Sequence, residues 1–203
     1  MCLEQAKGID IIMKKIDIKP QRMFCPQPMY VIGTYNEDGQ PNFSVITRIG
    51  FAWDGSPHIM LSMDGTKKTK ENIQRTGVFA ANLVSTDMLL LADYFGRTHG
   101  SNGIKNEVDF QFTNGNVLNV PVLDSSKWVF ECEVSKTIEL VDSHIFISKI
   151  NNILVAEQFK DMDMHMIDLS QLDPVLYAPF NYYSLGEKLG NCGDWEKHIS
   201  KLD

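Results

Sequence analysis

MYVIGTY (29–35), NEDG (36–39) and NFSVITRIGF (42–51) decide the fold of this chain. The first segment is rich in β-branched and aromatic residues and alternates, which is the pattern of a half-buried strand. Asn36, Asp38 and Gly39 tolerate positive φ and turn the chain. The third segment returns as a strand, so the pair predicts a hairpin. Downstream, HIMLSM (58–63) predicts another strand, closed by Asp64-Gly65. TKKTKENIQRTG (66–77) has polar helix chemistry and ends in Gly77, a natural residue just past a helix end. VFAANLV (78–84) is a continuous apolar strand, and Ser85 is placed to cap a helix, STDMLLLADYFG (85–96), stopped by Gly96.

Residues 97–120 read as a long surface loop, rich in Gly and Asn. KWVFECEVSKTIEL (127–140) alternates, with Trp128, Phe130, Cys132 and Val134 on one face, and HIFISKINNILV (144–155) alternates next. LDPVLYAPFNYYSLGEKLG (172–190) is rich in aromatic and turn residues. The fold class is therefore mainly β: one domain over residues 13–203, a β-barrel with inserted helices, because so many strands bury their edges best by closing.

Composition narrows the function classes. The 203 residues are 43% hydrophobic and 22% charged, which suits a soluble globular domain, and contain no apolar run long enough to cross a bilayer. Lys plus Arg is 19 against 26 for Asp plus Glu, a net charge of −7, which speaks against nucleic-acid binding. Cys2, Cys25, Cys132 and Cys192 form no C-x-x-C pair and no zinc framework. The start MCLEQAKGIDIIMKK lacks the layout of a secretory signal, so reduced thiols in the cytoplasm are expected. Met13-Lys14-Lys15 resembles a second start, which makes residues 1–12 a candidate flexible extension.

GxxxxGK[ST], GxGxxG and GxSxG are all absent. Asp161, Asp163 and His165 in DMDMH would share one side of a strand and could hold a metal, although a solvated loop is the commoner meaning of such a run. His58, His99 and His198 have no partners at ligand spacing. Lys67, Lys68 and Lys70, with Thr66 and Thr69 among them, stand at the start of the first helix. Free N–H groups, the helix dipole and the ammonium groups could bind a phosphate there. The same run also fits a charged, solvated helix face. Alternation puts Asn42, Ser44, Ile46 and Arg48 on one face, a polar stripe that suits either a ligand or solvent.

Taken in order, P-x-P-x-x-V-I-G-T-Y-N-E-D-G-x-P-N (26–42), LSM…KKTKENI (61–73), LADYFG (91–96), FECEV (130–134), SHIFI (143–147) and PVLYAP…YYSLGEKLG (174–190) resemble the flavin reductase-like family, whose domain is an FMN-binding split β-barrel of Greek-key type. Within that family the chain is similar to the flavoredoxin branch. The resemblance implies non-covalent FMN and a homodimer with sites near the subunit interface. It places Asn42, Ser44, Thr47 and Arg48 beside the flavin. Flavoredoxin-like proteins often carry Trp where this chain has Arg48, whose guanidinium could stack on the ring or pair with phosphate. Phosphate and ribityl contacts carry over to Ser62, Lys67, Thr69 and Asn72.

The family's D-K-F loop motif reads here Ile104-Lys105-Asn106, so Lys105 is the candidate for the flavin N1/O2 edge, where its charge would favour the reduced flavin. The D-H-x-x-F segment appears as Asp142-Ser143-His144-Ile145-Phe146, which makes His144 the candidate catalytic residue, able to donate or shuttle a proton. Tyr177 matches an aromatic packed on the flavin. The activity implied is an NAD(P)H-dependent flavin reductase, with NADH or NADPH passing hydride to flavin N5 and electrons leaving to free flavin, iron or a redox partner protein. The alternative is a flavoredoxin-like electron carrier, reduced by a protein partner without nicotinamide turnover.

Overall fold

The structure, a computed structural model, describes residues 13–20, 26–98, 108–161, 163 and 168–193. Phe24–Leu185 form one compact unit, and the two chain ends, Met1–Met23 and Gly186–Asp203, group separately. All regular elements among the described residues lie in the first unit. The predicted hairpin is β2 (Tyr30–Tyr35) and β3 (Pro41–Ile46), preceded by the short β1 (Gln27–Pro28). Next come β4 (Ile49–Trp53), β5 (Pro57–Asp64), α1 (Lys68–Thr76) and β6 (Val78–Leu83). A 3-10 turn at Thr86–Met88 runs into α2 (Leu89–Arg97), followed by β7 (Phe112–Asn114), β8 (Pro121–Leu123), β9 (Trp128–Glu139) and β10 (Ser143–Val155). A short α3 (Leu169–Leu172) leads to the hairpin β11 (Val175–Ala178) and β12 (Asn181–Ser184). No described helix is long and apolar enough to cross a membrane.

Seven strands form one antiparallel sheet in the order β3-β2-β6-β9-β10-β5-β4. Its two outermost strands are consecutive in the chain and are joined by Thr47 and Arg48 alone. Laid flat, seven strands would hold β3 and β4 about 29 Å apart, at roughly 4.8 Å per spacing. Three Cα steps, from Ile46 to Ile49, reach at most about 11 Å. The sheet must therefore roll up, and since no ladder joins β3 to β4 among the described residues, the barrel is split there. The fold is a split β-barrel with helices inserted, as expected.

The single strand expected over 42–51 is in fact two. One straight strand cannot pair with β2 at one end of the sheet order and with β5 at the other, so the chain breaks at Thr47-Arg48. Asn42, Ser44 and Ile46 do share the barrel's inner face, opposite Thr34, Ile32 and Tyr30, but Arg48 lies past the break and points outward. The second helix also differs in detail. Ser85 makes no side-chain cap and instead donates to Asp87, and Gly96 lies inside α2, where an added Cβ would meet Val45 at 3.5 Å.

Inward positions of the seven strands, among them Ile32, Leu61, Phe79, Phe130, Cys132 and Phe146, fill the barrel. The outer side of β2 and β3 is covered too: Val31 and Phe43 pack against Met88, Ala92 and Phe95 from the α2 segment. A third cluster covers β6 and β9 with Val120 and Val122. Burial on both faces explains why VFAANLV reads as a continuous apolar run rather than an alternating one. Gly33 is required by this second layer, because a Cβ there would stand 2.1 Å from the Pro121 carbonyl oxygen.

The segment expected as loop up to residue 120 is partly ordered by one carboxylate. Glu131, on β9, is 0% exposed. It accepts from the backbone N–H groups of Asn116 and Val117 at 2.9 Å each and Leu118 at 2.6 Å, and from Asn152 Nδ2 at 2.7 Å. Burial raises this carboxyl's pKa. The hydrogen bonds from Asn152 and the three backbone groups outweigh that and hold it below its ordinary 4.5. A lowered native pKa contributes stability that is complete above the unfolded value and is lost as pH falls through the native one. Glu131→Gln should therefore cost about 2–4 kcal/mol near neutral pH by denaturant unfolding, and the gap to wild type should narrow as pH falls below about 4.5. A gap constant down to acid pH would show that the carboxylate's charge is not what holds the loop.

Candidate functional site

Helix α1 connects β5 to β6, two strands that the sheet order separates by β9 and β10. Its buried residues, Thr69, Asn72 and Ile73, lie on one face. Ile73 enters the barrel core, and Gly77 ends the helix in a left-handed conformation, φ 74°, donating to the Ile73 carbonyl at 2.8 Å. The other two buried residues are polar and are met by polar partners on the hairpin. Asn42 Nδ2 donates to Thr69 Oγ1 at 2.7 Å and to Thr34 Oγ1 at 3.3 Å. Asn72 Nδ2 donates to Thr34 Oγ1 at 3.1 Å and to Asn36 Oδ1 at 2.9 Å. Arg75 adds a bond to the Tyr35 carbonyl. This network fixes the start of α1 against β2 and β3. Three of the expected site residues, Asn42, Thr69 and Asn72, are thus brought together in a buried cluster.

A second group lies on the sheet's outer face. Arg48 and Lys67 both reach the same oxygen of Asp64, Oδ1, at 2.7 and 3.1 Å. The Ser62 amide donates to the Arg48 carbonyl at 3.0 Å, and Ser62 stands two residues from Asp64 on the same face. Partial burial raises the Asp64 carboxyl, but the hydrogen bonds and charges of Arg48 and Lys67 outweigh it and bring its pKa to about 2. All three charged side chains are between a third and a half exposed. Thr47 and Ser44 are half-buried nearby in sequence, Ser44 on the inner face opposite Ile32. The start of α1 joins the two groups: Lys67 reaches outward to Asp64, and Thr69 inward to Asn42.

His144 stands apart from the cationic group. Its cross-strand partner is Met63, an inward residue, whereas Ser62 faces Ile145. The imidazole therefore lies on the opposite face of the sheet from Ser62 and Asp64. It stacks on Phe146, ring centroids 6.0 Å apart, with Nε2 at 3.2 Å from Gln74 Nε2 and 4.0 Å from Glu139 Oε1. Its Nδ1 is buried without a partner. Tyr177 belongs to the three-stranded sheet β1-β11-β12, where it packs on the α2 core and its hydroxyl accepts from the Phe180 amide at 3.2 Å. Lys105 and His165 lie outside the described residues, and no metal-holding group of side chains occurs among the described ones.

Sequence reasoning missed Thr34, Asn36 and Asp64. Thr34 had a signal, since it takes the inward position after Tyr30 and Ile32, where an isolated strand hydroxyl needs a partner. Asp64 had a weaker one, three residues before Lys67.

The family described as "Flavin reductase like domain" matches residues 22–186. The chain belongs to the flavin reductase-like family. Among solved structures, flavoredoxin of Desulfovibrio vulgaris (Miyazaki F) is similar, with 26% identity and a TM-score of 0.80 over 89% of this chain and 98% of that one. A flavoredoxin from Methanosarcina acetivorans shares the fold, with 22% identity and a TM-score of 0.82 over 92% and 100% of the two chains. So does an FMN-binding protein from Thermus thermophilus, solved with p-hydroxybenzaldehyde, at 17% identity and a TM-score of 0.72 over 89% and 100%. No curated protein sequence matches the chain.

In this member of the flavin reductase-like family the α1 anchor is the testable feature. Thr34→Val removes the acceptor that Asn42 and Asn72 share. It should cost about 1–3 kcal/mol and should speed hydrogen exchange in α1 well before it does so in β9. Equal loss of protection in both elements would contradict a local anchoring role.

Proposed function

We propose that this protein binds FMN non-covalently and acts as an NAD(P)H-dependent oxidoreductase of the flavin reductase type. The observation that carries the reading is the pair of cations, Arg48 and Lys67, converging at the start of α1 in a chain of the flavin reductase-like family. The donor set fits the cofactor. A phosphomonoester carries between one and two negative charges near neutrality, and two cations beside a helix start offer it charge and donors. When bound, FMN supplies a flavin ring that accepts hydride at N5.

The chain's own residues divide the work. Arg48, Lys67 and Ser62 would hold the phosphate end, Arg48 through its planar fork. Asn42, Asn72 and Thr34 would fix the helix so that Lys67 and Thr69 start from a defined place. His144 Nε2 would accept from the Gln74 amide, which puts the proton of the neutral ring on Nδ1, and Glu139 Oε1 stands 4.0 Å from Nε2. The side of the sheet on which it lies keeps it out of the phosphate group.

The similarity to D. vulgaris flavoredoxin over nearly all of that chain favours a second reading, an electron carrier reduced by a protein partner. Anaerobic addition of NADH or NADPH to the FMN-loaded protein separates the two. Bleaching of the flavin absorbance supports the reductase, whereas flavin that stays oxidised with nicotinamide and bleaches with dithionite supports the carrier. For the phosphate subsite, Arg48→Met combined with Lys67→Met should weaken FMN about tenfold or more, from two lost charge-assisted contacts, and leave riboflavin affinity unchanged. Equal weakening of both flavins would contradict it.

A further inference from the structure

We infer that Asp64 is an internal competitor for the ligand's phosphate and so sets how strongly the protein prefers FMN to an unphosphorylated flavin. The inference rests on the flavin reading above and goes beyond it, since Asp64 is no part of the expected site. Arg48 comes from the link between β3 and β4, and Lys67 from the start of α1. Both close on a single oxygen of one carboxylate, at 2.7 and 3.1 Å. In this arrangement two cations share one acceptor atom. A phosphate, with three terminal oxygens, could give each cation its own.

The exchange requires no movement of the core. Arg48 and Asp64 are about half exposed and Lys67 is 37% exposed, so the ion pairs can open toward solvent. Asp64 is flanked by Gly65, which takes the positive φ of the turn, +61°, so the carboxylate is not needed to bend the chain. The carboxylate also stays ionised throughout the neutral range, with its pKa held at about 2. An incoming phosphate therefore always meets it, and must either displace it from both cations or lie beside its negative charge. A neutral flavin lacking phosphate meets neither cost.

The experiment measures FMN and riboflavin affinity by quenching of flavin fluorescence, in wild type and in Asp64→Asn, with Asp64→Ser as a second variant and circular dichroism to verify that each is folded. Wild-type protein should bind FMN. Asp64→Asn should bind FMN about fivefold more tightly, the scale of two exposed charge interactions, with riboflavin affinity unchanged and a steeper loss of FMN affinity with added salt. Unchanged or weaker FMN binding in the folded variants overturns the inference, because the carboxylate would then be orienting the cations or lying away from the phosphate. An equal change for both flavins overturns it as well. Wild-type protein that binds neither flavin overturns the flavin reading and the inference with it.

Discussion

Thr47 and Arg48 join the two outermost strands of a seven-stranded sheet, and two residues cannot cross an open sheet of that width. Closure follows from that link. It puts Tyr30, Ile59, Phe79, Phe130 and Phe146, from five strands distant in sequence, into one core. It also brings Arg48 to β5, where its carbonyl accepts from Ser62 and its side chain meets Asp64. The same two residues that close the barrel therefore deliver one of the site's two cations. Structure and candidate site share a cause.

The other cation depends on a buried polar network. An α1 held only by Ile73 could rotate about its axis. The amide and hydroxyl groups of Asn42, Asn72, Thr69 and Thr34 fix its angle, because each amide hydrogen has a single acceptor in a defined direction. Such a network adds less stability than an apolar contact of the same size. It specifies position, and position is what Lys67 needs to reach the partner of Arg48.

Most strands were legible because alternation is a local property. β9 alternates inward through Trp128, Phe130, Cys132 and Val134 and β10 through His144, Phe146, Ser148 and Ile150, beyond which a bulge in each strand shifts the register, and the NEDG turn is written in residues that tolerate positive φ. The break at Thr47-Arg48 was not legible. Ile-Thr-Arg-Ile contains no breaker and has good β-propensity, so its interruption comes from the topology of the whole sheet. The α1 face was ambiguous for a related reason: Thr69 and Asn72 look like solvent-facing residues unless Thr34 and Asn42 are known to stand opposite. Asp64 was invisible as a partner of Arg48 because fifteen residues of chain separate them and only the β4–β5 pairing closes the gap. His144 and Tyr177 were matched to the family by motif, and motif order alone does not say on which side of a sheet a side chain lies.

The central claim is that the phosphate of a bound flavin is held by the cations gathered at the closure of the barrel. Phosphorus NMR of FMN titrated with the protein tests it most directly. The account predicts a shifted, broadened resonance for bound FMN whose position no longer follows the ordinary phosphate titration with pH, because the adjacent cations hold the dianion. Quenched flavin fluorescence together with a phosphorus resonance that still titrates as in free FMN would contradict it, and would place the phosphate in solvent, away from Arg48 and Lys67.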